Sequence, residues 1–102
     1  MLNFLKSLFV KERIDFSELI NNGALIVDVR TSQEFSSGHA KNARNIPLQT
    51  LDSKINSLKK KSVPIITCCA SGIRSGKAAK ILNAKGIEAY NAGPWKNLKN
   101  LE

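Results

Sequence analysis

Two apolar runs set the strongest limit on how this chain can fold. One is continuous from Ala24 to Val27, and the other extends from Val63 to Cys68. Apolar runs of this kind are typical of strands that are buried on both faces of a sheet. Each run leads into a loop and then into a helix-start pattern. This alternation predicts an α/β fold, in which a small, mostly parallel β-sheet is flanked by helices on both faces.

The segments around these runs carry helix and strand patterns of their own. Asp15–Glu18 and Thr31–Glu34 read as capping boxes, which mark helix N-termini, and Gly23 and Gly38 stand where those helices should end. Apolar residues at helical spacing indicate further helices. The patterns together predict helices over 16–22, 48–60, 75–85 and 95–101, a one- or two-turn helix between 31 and 38, strands over 43–46 and 87–90, and a turn over 91–94.

Length and composition fit one domain. The chain has 102 residues, of which 42% are hydrophobic and 24% charged, as in ordinary globular proteins. We assign residues 1–13 to an N-terminal arm or helix and residues 14–102 to the domain. The apolar face of Met1–Val10 favours packing on the domain, with a weak membrane or partner contact as the alternative. Because the sequence shows neither a secretory signal nor a membrane span, we expect a cytoplasmic location. We also expect a monomer.

The charge and the cysteine count narrow the possible ligands. A net charge of +8 predicts anionic partners. Nucleic acid is disfavoured, because no helix-turn-helix, zinc finger or aromatic RNA-reading motif is present. Two adjacent cysteines and one histidine are too few for a usual zinc site, and neighbouring cysteines do not form an ordinary structural disulfide. We expect neither a metal nor an organic cofactor.

The segment from Cys69 to Ser75 carries the chemistry. A cysteine ends the buried strand, a short loop with a glycine and an arginine follows, and a helix begins. The N–H groups of such a loop converge on one point and stabilise an anion there. They also stabilise the thiolate, which is the nucleophilic form of cysteine. We therefore predict that Cys69 is an activated nucleophile in an anion-binding cradle.

Four stretches, in order and at the family's spacing, resemble the rhodanese-like sulfurtransferase family. They are Asp28–Arg30; Glu34–Phe35 with Gly38–His39 and Asn45–Pro47; Cys69–Ser75; and Gly93 with Trp95. The resemblance covers roughly residues 14–97. It implies that Cys69 cycles between thiol and persulfide. A small anionic donor such as thiosulfate supplies the sulfur, and a thiol, a protein or cyanide accepts it.

The loop pattern and the resemblance together give each site residue a role. Cys69 carries the sulfur, and the Arg74 guanidinium stabilises an oxyanion. The expected substrate-binding loop consists of Ala70, Ser71, Gly72, Ile73 and Ser75, and Asp28 and Arg30 are expected to support it from behind. Ser75 is predicted either to donate to a bound anion or to cap the following helix.

Other residues near these motifs are expected to be structural. Cys68 should face away from Cys69 and pack, because side chains alternate along a strand; a resolving thiol is the alternative. Glu34 is expected to pair with Arg30, and His39 to be structural. Trp95 is expected to be a packed lid or core residue.

The length of the loop between Cys69 and Arg74 and the residue at position 70 both bear on the type of reaction. Four residues separate Cys69 from Arg74, the short loop that the resemblance associates with sulfur transfer, whereas related phosphatases are expected to have one more. Ala70 stands where some thiosulfate-using relatives carry a basic residue, so persulfide and polysulfide donors stay open beside thiosulfate. The rival functions are a rhodanese-like binding or persulfide-carrier module and, less favoured, a phosphatase or arsenate reductase.

Overall fold

Helices and strands alternate along residues 14–101, which are the residues that the computed structural model describes. The predicted N-terminal arm lies outside them. The helices are α1 (Phe16–Asn21), α2 (Ser32–Ser36), α3 (Ile55–Lys60) and α4 (Ile73–Ala84), with 3₁₀ helices over Leu48–Lys54 and Trp95–Leu98. The strands are β1 (Leu25–Asp28), β2 (Arg44–Asn45), β3 (Ile65–Cys69) and β4 (Ala89–Pro94). None of the helices within 14–101 is long and apolar enough to cross a membrane.

The four strands form one parallel sheet in the order β2-β1-β3-β4. The central strands β1 and β3 are those that begin in the two apolar runs, and Asp28 lies in register with Cys68. The predicted parallel α/β architecture is confirmed. Because all four strands run the same way, their carboxyl ends meet at one edge, where ligands of such sheets bind. Asp28 and Cys69 both end strands at this edge.

The sheet separates two apolar clusters. The larger cluster lies against α3, α4 and the 48–54 helix, and Cys69 belongs to it. The smaller cluster lies against α1 and the 95–98 helix, and Cys68 belongs to it. Helices therefore cover both faces, as predicted, and neighbouring residues of β3 point into different layers.

The predicted helix over 48–60 is wrong in its first half. Residues 48–54 form a 3₁₀ helix, and only 55–60 are α-helical. The buried Leu51 follows Leu48 by three residues, which fits three residues per turn. The hydroxyls of Thr50 and Ser53 also donate to backbone carbonyls three residues earlier, which competes with regular α-helical bonding.

The predicted turn over 91–94 is instead the second half of β4. Thr67 pairs with Asn91, and Cys69 pairs with Pro94, so β4 carries one extra residue at a bulge. Gly93 has a φ of +80° beside the bulge. Glycine and proline therefore mark an irregular edge strand here. The final helix is also shorter than predicted and is 3₁₀.

Candidate active site

The Cys69 thiol lies beneath a three-residue turn between β3 and α4. The Gly72 N–H donates to Sγ at 3.0 Å, and the Ser75 N–H donates at 3.4 Å. The Ser75 hydroxyl lies 3.2 Å from the same sulfur. Helix α4 begins at Ile73, two residues earlier than predicted, with Gly72 as its N-cap. The predicted convergence of loop N–H groups on the sulfur is thus present in the structure.

Glycine is needed at position 72 for two reasons. Its φ of +103° lies in the left-handed region, which other residues rarely adopt. A Cβ there would also lie 3.2 Å from the Gly93 Cα, so the turn packs closely on β4. The N–H of this same residue donates to the Cys69 sulfur.

Burial and hydrogen bonding act in opposite directions on Cys69. Burial raises the pKa of the thiol, but donation from the Ser75 hydroxyl and from the N–H groups of Ser75, Gly72 and Ser71 lowers it by more. The net pKa of Cys69 lies below its ordinary value. The site therefore favours thiolate, the form that attacks electrophilic sulfur.

Cys69 is fully buried in the larger apolar cluster. Although Cys69 ends its strand at the edge of the sheet, the turn over residues 70–72 folds back onto it. Ala70 and Ser71 are exposed on the outside of this turn. The sulfur forms the floor of the cradle, and the loop residues form its rim.

Asn91 connects the cradle to β4, a role that was not predicted from the sequence. Its Oδ1 accepts from the Ser75 hydroxyl at 2.6 Å and from the Gly93 N–H at 2.8 Å, and its Nδ2 donates to the Gly72 carbonyl at 3.1 Å. Gly76 leaves room for this amide, since a Cβ there would lie 3.3 Å from Nδ2. Only the register of β4 on β3 brings Asn91 here, so no local signal could have found it.

Ser75 does not cap α4, so that expectation is wrong. It is the third residue of the helix and fully buried, with its hydroxyl between Cys69 and Asn91. A hydroxyl has one proton, so it donates to one of these acceptors at a time. The Thr67 hydroxyl fixes the Ser75 backbone by donating to its carbonyl at 2.8 Å.

Arg74 faces a carboxylate. Its Nη1 and Nη2 donate to Glu34 Oε1 and Oε2 at 2.7 and 3.1 Å, a bidentate pair. This pairing, together with hydrogen bonds from Thr31, lowers the pKa of Glu34 to about 2, and the pairing raises the pKa of Arg74. The expectation that the Glu34 carboxylate pairs with Arg30 is wrong, since the hydrogen bond from Arg30 to Glu34 goes to the backbone carbonyl, at 3.3 Å. The Arg74 guanidinium, which was predicted to stabilise an oxyanion, is bound to the Glu34 carboxylate in the structure.

Asp28 and Arg30 form a buried pair on the opposite face from Cys69. Arg30 Nη2 lies 2.8 Å from Asp28 Oδ2, and Nε donates to the same carboxylate. Arg30 also donates to the carbonyls of Glu34 and Gly38 and lies 4.9 Å over the Trp95 ring. Glu34 lies on α2 and also binds Arg74. The Asp28–Arg30 pair is therefore connected to the cradle through Glu34.

Cys68 has a different environment from its neighbour. It is fully buried in the smaller cluster, and its pKa is raised mainly by burial, with a further contribution from the nearby Asp28 charge. The structure places it away from Cys69, as predicted, and gives it none of the donors that surround Cys69. This environment favours the packing role over the resolving role.

His39 lies outside the cradle. Its Nδ1 donates to the Phe35 carbonyl at 2.7 Å, and its ring stacks on that of Phe35 with centroids 3.7 Å apart. These contacts fit the structural role predicted for it. Within residues 14–101, no group of three or more His, Cys, Asp or Glu side chains gathers to hold a metal ion. The site places the Cys69 thiol among N–H and hydroxyl donors.

Comparison with known proteins places this site in a family. A sequence model of the rhodanese-like domain matches residues 12–101. The uncharacterized protein YqhL of Bacillus subtilis is 41% identical over 69 residues, which is 67% of this chain and 54% of YqhL. The thiosulfate sulfurtransferase GlpE of Ectopseudomonas mendocina is 35% identical over 75 residues, covering 72% of this chain and 68% of GlpE. The match thus spans only about half of YqhL.

Solved structures agree with this placement. A rhodanese with anions from E. coli is 30% identical, covers 74% of this chain and 91% of its own, and superposes with a TM-score of 0.67. A rhodanese-like domain protein from Staphylococcus aureus is 36% identical, covers 76% of this chain and 74% of its own, and gives a TM-score of 0.66. The architecture and the sequence motifs point to the same family.

Proposed function

We propose that this chain, which belongs to the rhodanese-like domain family, is a sulfurtransferase that carries sulfane sulfur on Cys69. The observation that carries the proposal is the set of donors on one buried sulfur: the N–H groups of Gly72 and Ser75 and the Ser75 hydroxyl. These groups stabilise negative charge on the cysteine before the reaction. They are equally suited to the anionic persulfide that follows it.

The reaction has two balanced half-steps. The Cys69 thiolate attacks the outer sulfur of thiosulfate, a Cys69 S–S bond forms, and the S–S bond of the donor breaks with its electron pair leaving on sulfite. In the second half-step, cyanide or a thiolate attacks the outer sulfur of the persulfide. The Cys69 S–S bond then breaks, and its electron pair returns to Cys69 as thiolate. No external oxidant or reductant is consumed.

The donor is either thiosulfate or a persulfide or polysulfide. The loop presents no cation at position 70 to hold the sulfonate of thiosulfate, and the Arg74 guanidinium is engaged by Glu34. Thiosulfate would therefore depend on backbone N–H groups for its binding. Location in the cytoplasm, a monomeric state and the boundary before residue 14 stay predictions.

Intact mass spectrometry tests the proposal directly. After incubation with thiosulfate or with a polysulfide, wild type is expected to gain one sulfur, about 32 Da. Cys69→Ser should gain nothing. Cys68→Ala is the matched control and should load as wild type does. The donor that loads the protein identifies the substrate class.

Two outcomes would contradict sulfur transfer. If neither donor loads a protein whose Cys69 is reduced and alkylatable, the binding-module alternative is favoured. If the protein hydrolyses a phosphate ester, and Cys69→Ser abolishes that hydrolysis, the loop belongs to a phosphatase.

A further inference from the structure

The rim of the cradle presents an exposed apolar side chain. Ile73 is 69% exposed and is the only large hydrophobic residue in this state among residues 14–101. It lies between Gly72 and Ser75, whose N–H groups both donate to Cys69. A single exposed apolar side chain is ordinary on a protein surface, but the position of Ile73 on the rim of the cradle places it within reach of a molecule that reacts at Cys69.

The same surface is basic. Helix α4 contains Arg74, Lys77 and Lys80 and no acidic residue. Ile73, Lys77 and Lys80 follow the i, i+4, i+7 spacing of one helix face, and all three are exposed. Since Arg74 is neutralised by Glu34, Lys77 and Lys80 are the cations that this face offers to a partner.

We propose, building on the sulfurtransferase function, that the face formed by Ile73, Lys77 and Lys80 docks the sulfur acceptor, and that this acceptor is a protein thiol ringed by acidic side chains. A small anion fills the N–H cradle without reaching Lys80, which lies about 10 Å further along the helix. Only a macromolecule can contact the apolar rim and both lysines while its thiol reaches Cys69. Charge complementarity selects an acidic one.

Two synthetic peptides supply a defined acceptor. Each has one cysteine beside a leucine; one flanks them with aspartate and glutamate, and the other with lysine. Cys69 is first loaded with sulfur, and transfer to each peptide and to cyanide is then timed. Wild type is expected to transfer about tenfold faster to the acidic peptide, with a rate that falls as salt rises.

A pair of charge-matched variants separates this face from the overall field of the protein. Lys77→Glu with Lys80→Glu, and Lys59→Glu with Lys60→Glu, each lower the formal charge from +8 by four, to +4. Lys59 and Lys60 end α3, and Lys59 lines a groove with Val63, Pro64 and Gly86 at the amino ends of β3 and β4, away from Cys69. The Lys77 and Lys80 variant should lose about tenfold in transfer to the acidic peptide and keep its rate with cyanide, whereas the Lys59 and Lys60 variant should keep most of both rates.

Ile73→Ser tests the apolar contact separately. It is expected to lower transfer to the acidic peptide more than transfer to cyanide. Equal losses in the two charge-matched variants, or no loss in either, would overturn the proposal. A wild-type dimer that Ile73→Ser dissociates would assign the face to a second copy, and selective tRNA binding lost with Lys77 and Lys80 would assign it to RNA; either result overturns it. A wild type that never loads sulfur would instead refute the underlying function.

Discussion

The two faces of β3 shift the pKa values of the adjacent cysteines in opposite directions. Cys69 and Cys68 are both fully buried, so accessibility does not distinguish them. On the Cys69 side, three donors point at the sulfur and its pKa falls. On the Cys68 side, burial is the main cause that raises the pKa of the thiol, and the nearby Asp28 carboxylate adds to the rise.

We infer from this difference that the direction of the local dipoles sets which of the two thiols can act as the nucleophile. The Cys69 face ends in a turn and a helix N-terminus, where unpaired N–H groups are available. The Cys68 face contains the buried ion pair between Asp28 and Arg30, and the half-buried Trp95 packs against Arg30. One face should therefore control chemistry, and the other should control stability.

The largest expected effect is on the Cys68 face. Asp28→Asn leaves the buried Arg30 charge without its partner, and loss of one member of a buried pair costs about 3 kcal/mol or more. Urea denaturation measures the change, with the exposed Asp52→Asn as control. A variant of wild-type stability that has lost activity would place Asp28 in the chemistry and break the contrast.

An intermediate effect is expected on the Cys69 face. Ser75→Ala removes a donor that favours the thiolate, so the pKa of Cys69 should rise, by about one unit for a hydrogen bond to a charged group. The rate of alkylation against pH, measured in a Cys68→Ala background, should shift to higher pH. Sulfur loading at neutral pH should fall about tenfold.

Ser57→Ala, an exposed hydroxyl on α3, is the control for that series. An unchanged pH profile in Ser75→Ala would mean that the Ser75 hydroxyl donates to Asn91 and not to Cys69. The difference between Cys69 and Cys68 would then depend on the backbone N–H donors alone.

The smallest effect is expected where the two faces connect. Arg74 first, and then the hydrogen bonds from Thr31, lower the pKa of Glu34 to about 2. The ionised Glu34 carboxylate therefore stabilises the fold above the ordinary carboxyl pKa of about 4.3, and this contribution is lost as pH falls toward 2. Both side chains are about one-third exposed (35% and 36%), so solvent weakens the pair. Glu34→Gln, which keeps the capping-box geometry, should slightly lower the denaturation midpoint at pH 7.

The difference between Glu34→Gln and wild type should vanish near pH 2, and Glu18→Gln is the exposed control. A difference that persists in acid would attribute the effect to α2 capping instead of to Arg74.

Local patterns in the sequence predicted most of the fold. Some conformations are fixed by the local sequence, so they could be predicted without tertiary information. Examples are the apolar run at 24–27, the capping box at Thr31 and the glycine at position 72. The cradle around Cys69 was predictable for the same reason, since its donors lie within six residues of it.

The features that the sequence did not reveal depend on distant partners. Asn91 reaches the cradle through strand register, and Glu34 meets Arg74 across 40 positions of chain. The bulge in β4 resembles a turn in sequence because both use glycine and proline. The burial of Cys69 depends on the turn closing over it. Each of these follows from tertiary packing.

The adjacent cysteines also give the protein two labelling sites that report different motions. An alkylating reagent that reaches the folded protein should mark Cys69 alone, so a single label times the opening of the 70–72 turn. A second label on Cys68 requires the interior of the sheet to come apart, so it times unfolding. One time course of labelling, resolved by mass, would thus record both the local and the global motions of the same molecule.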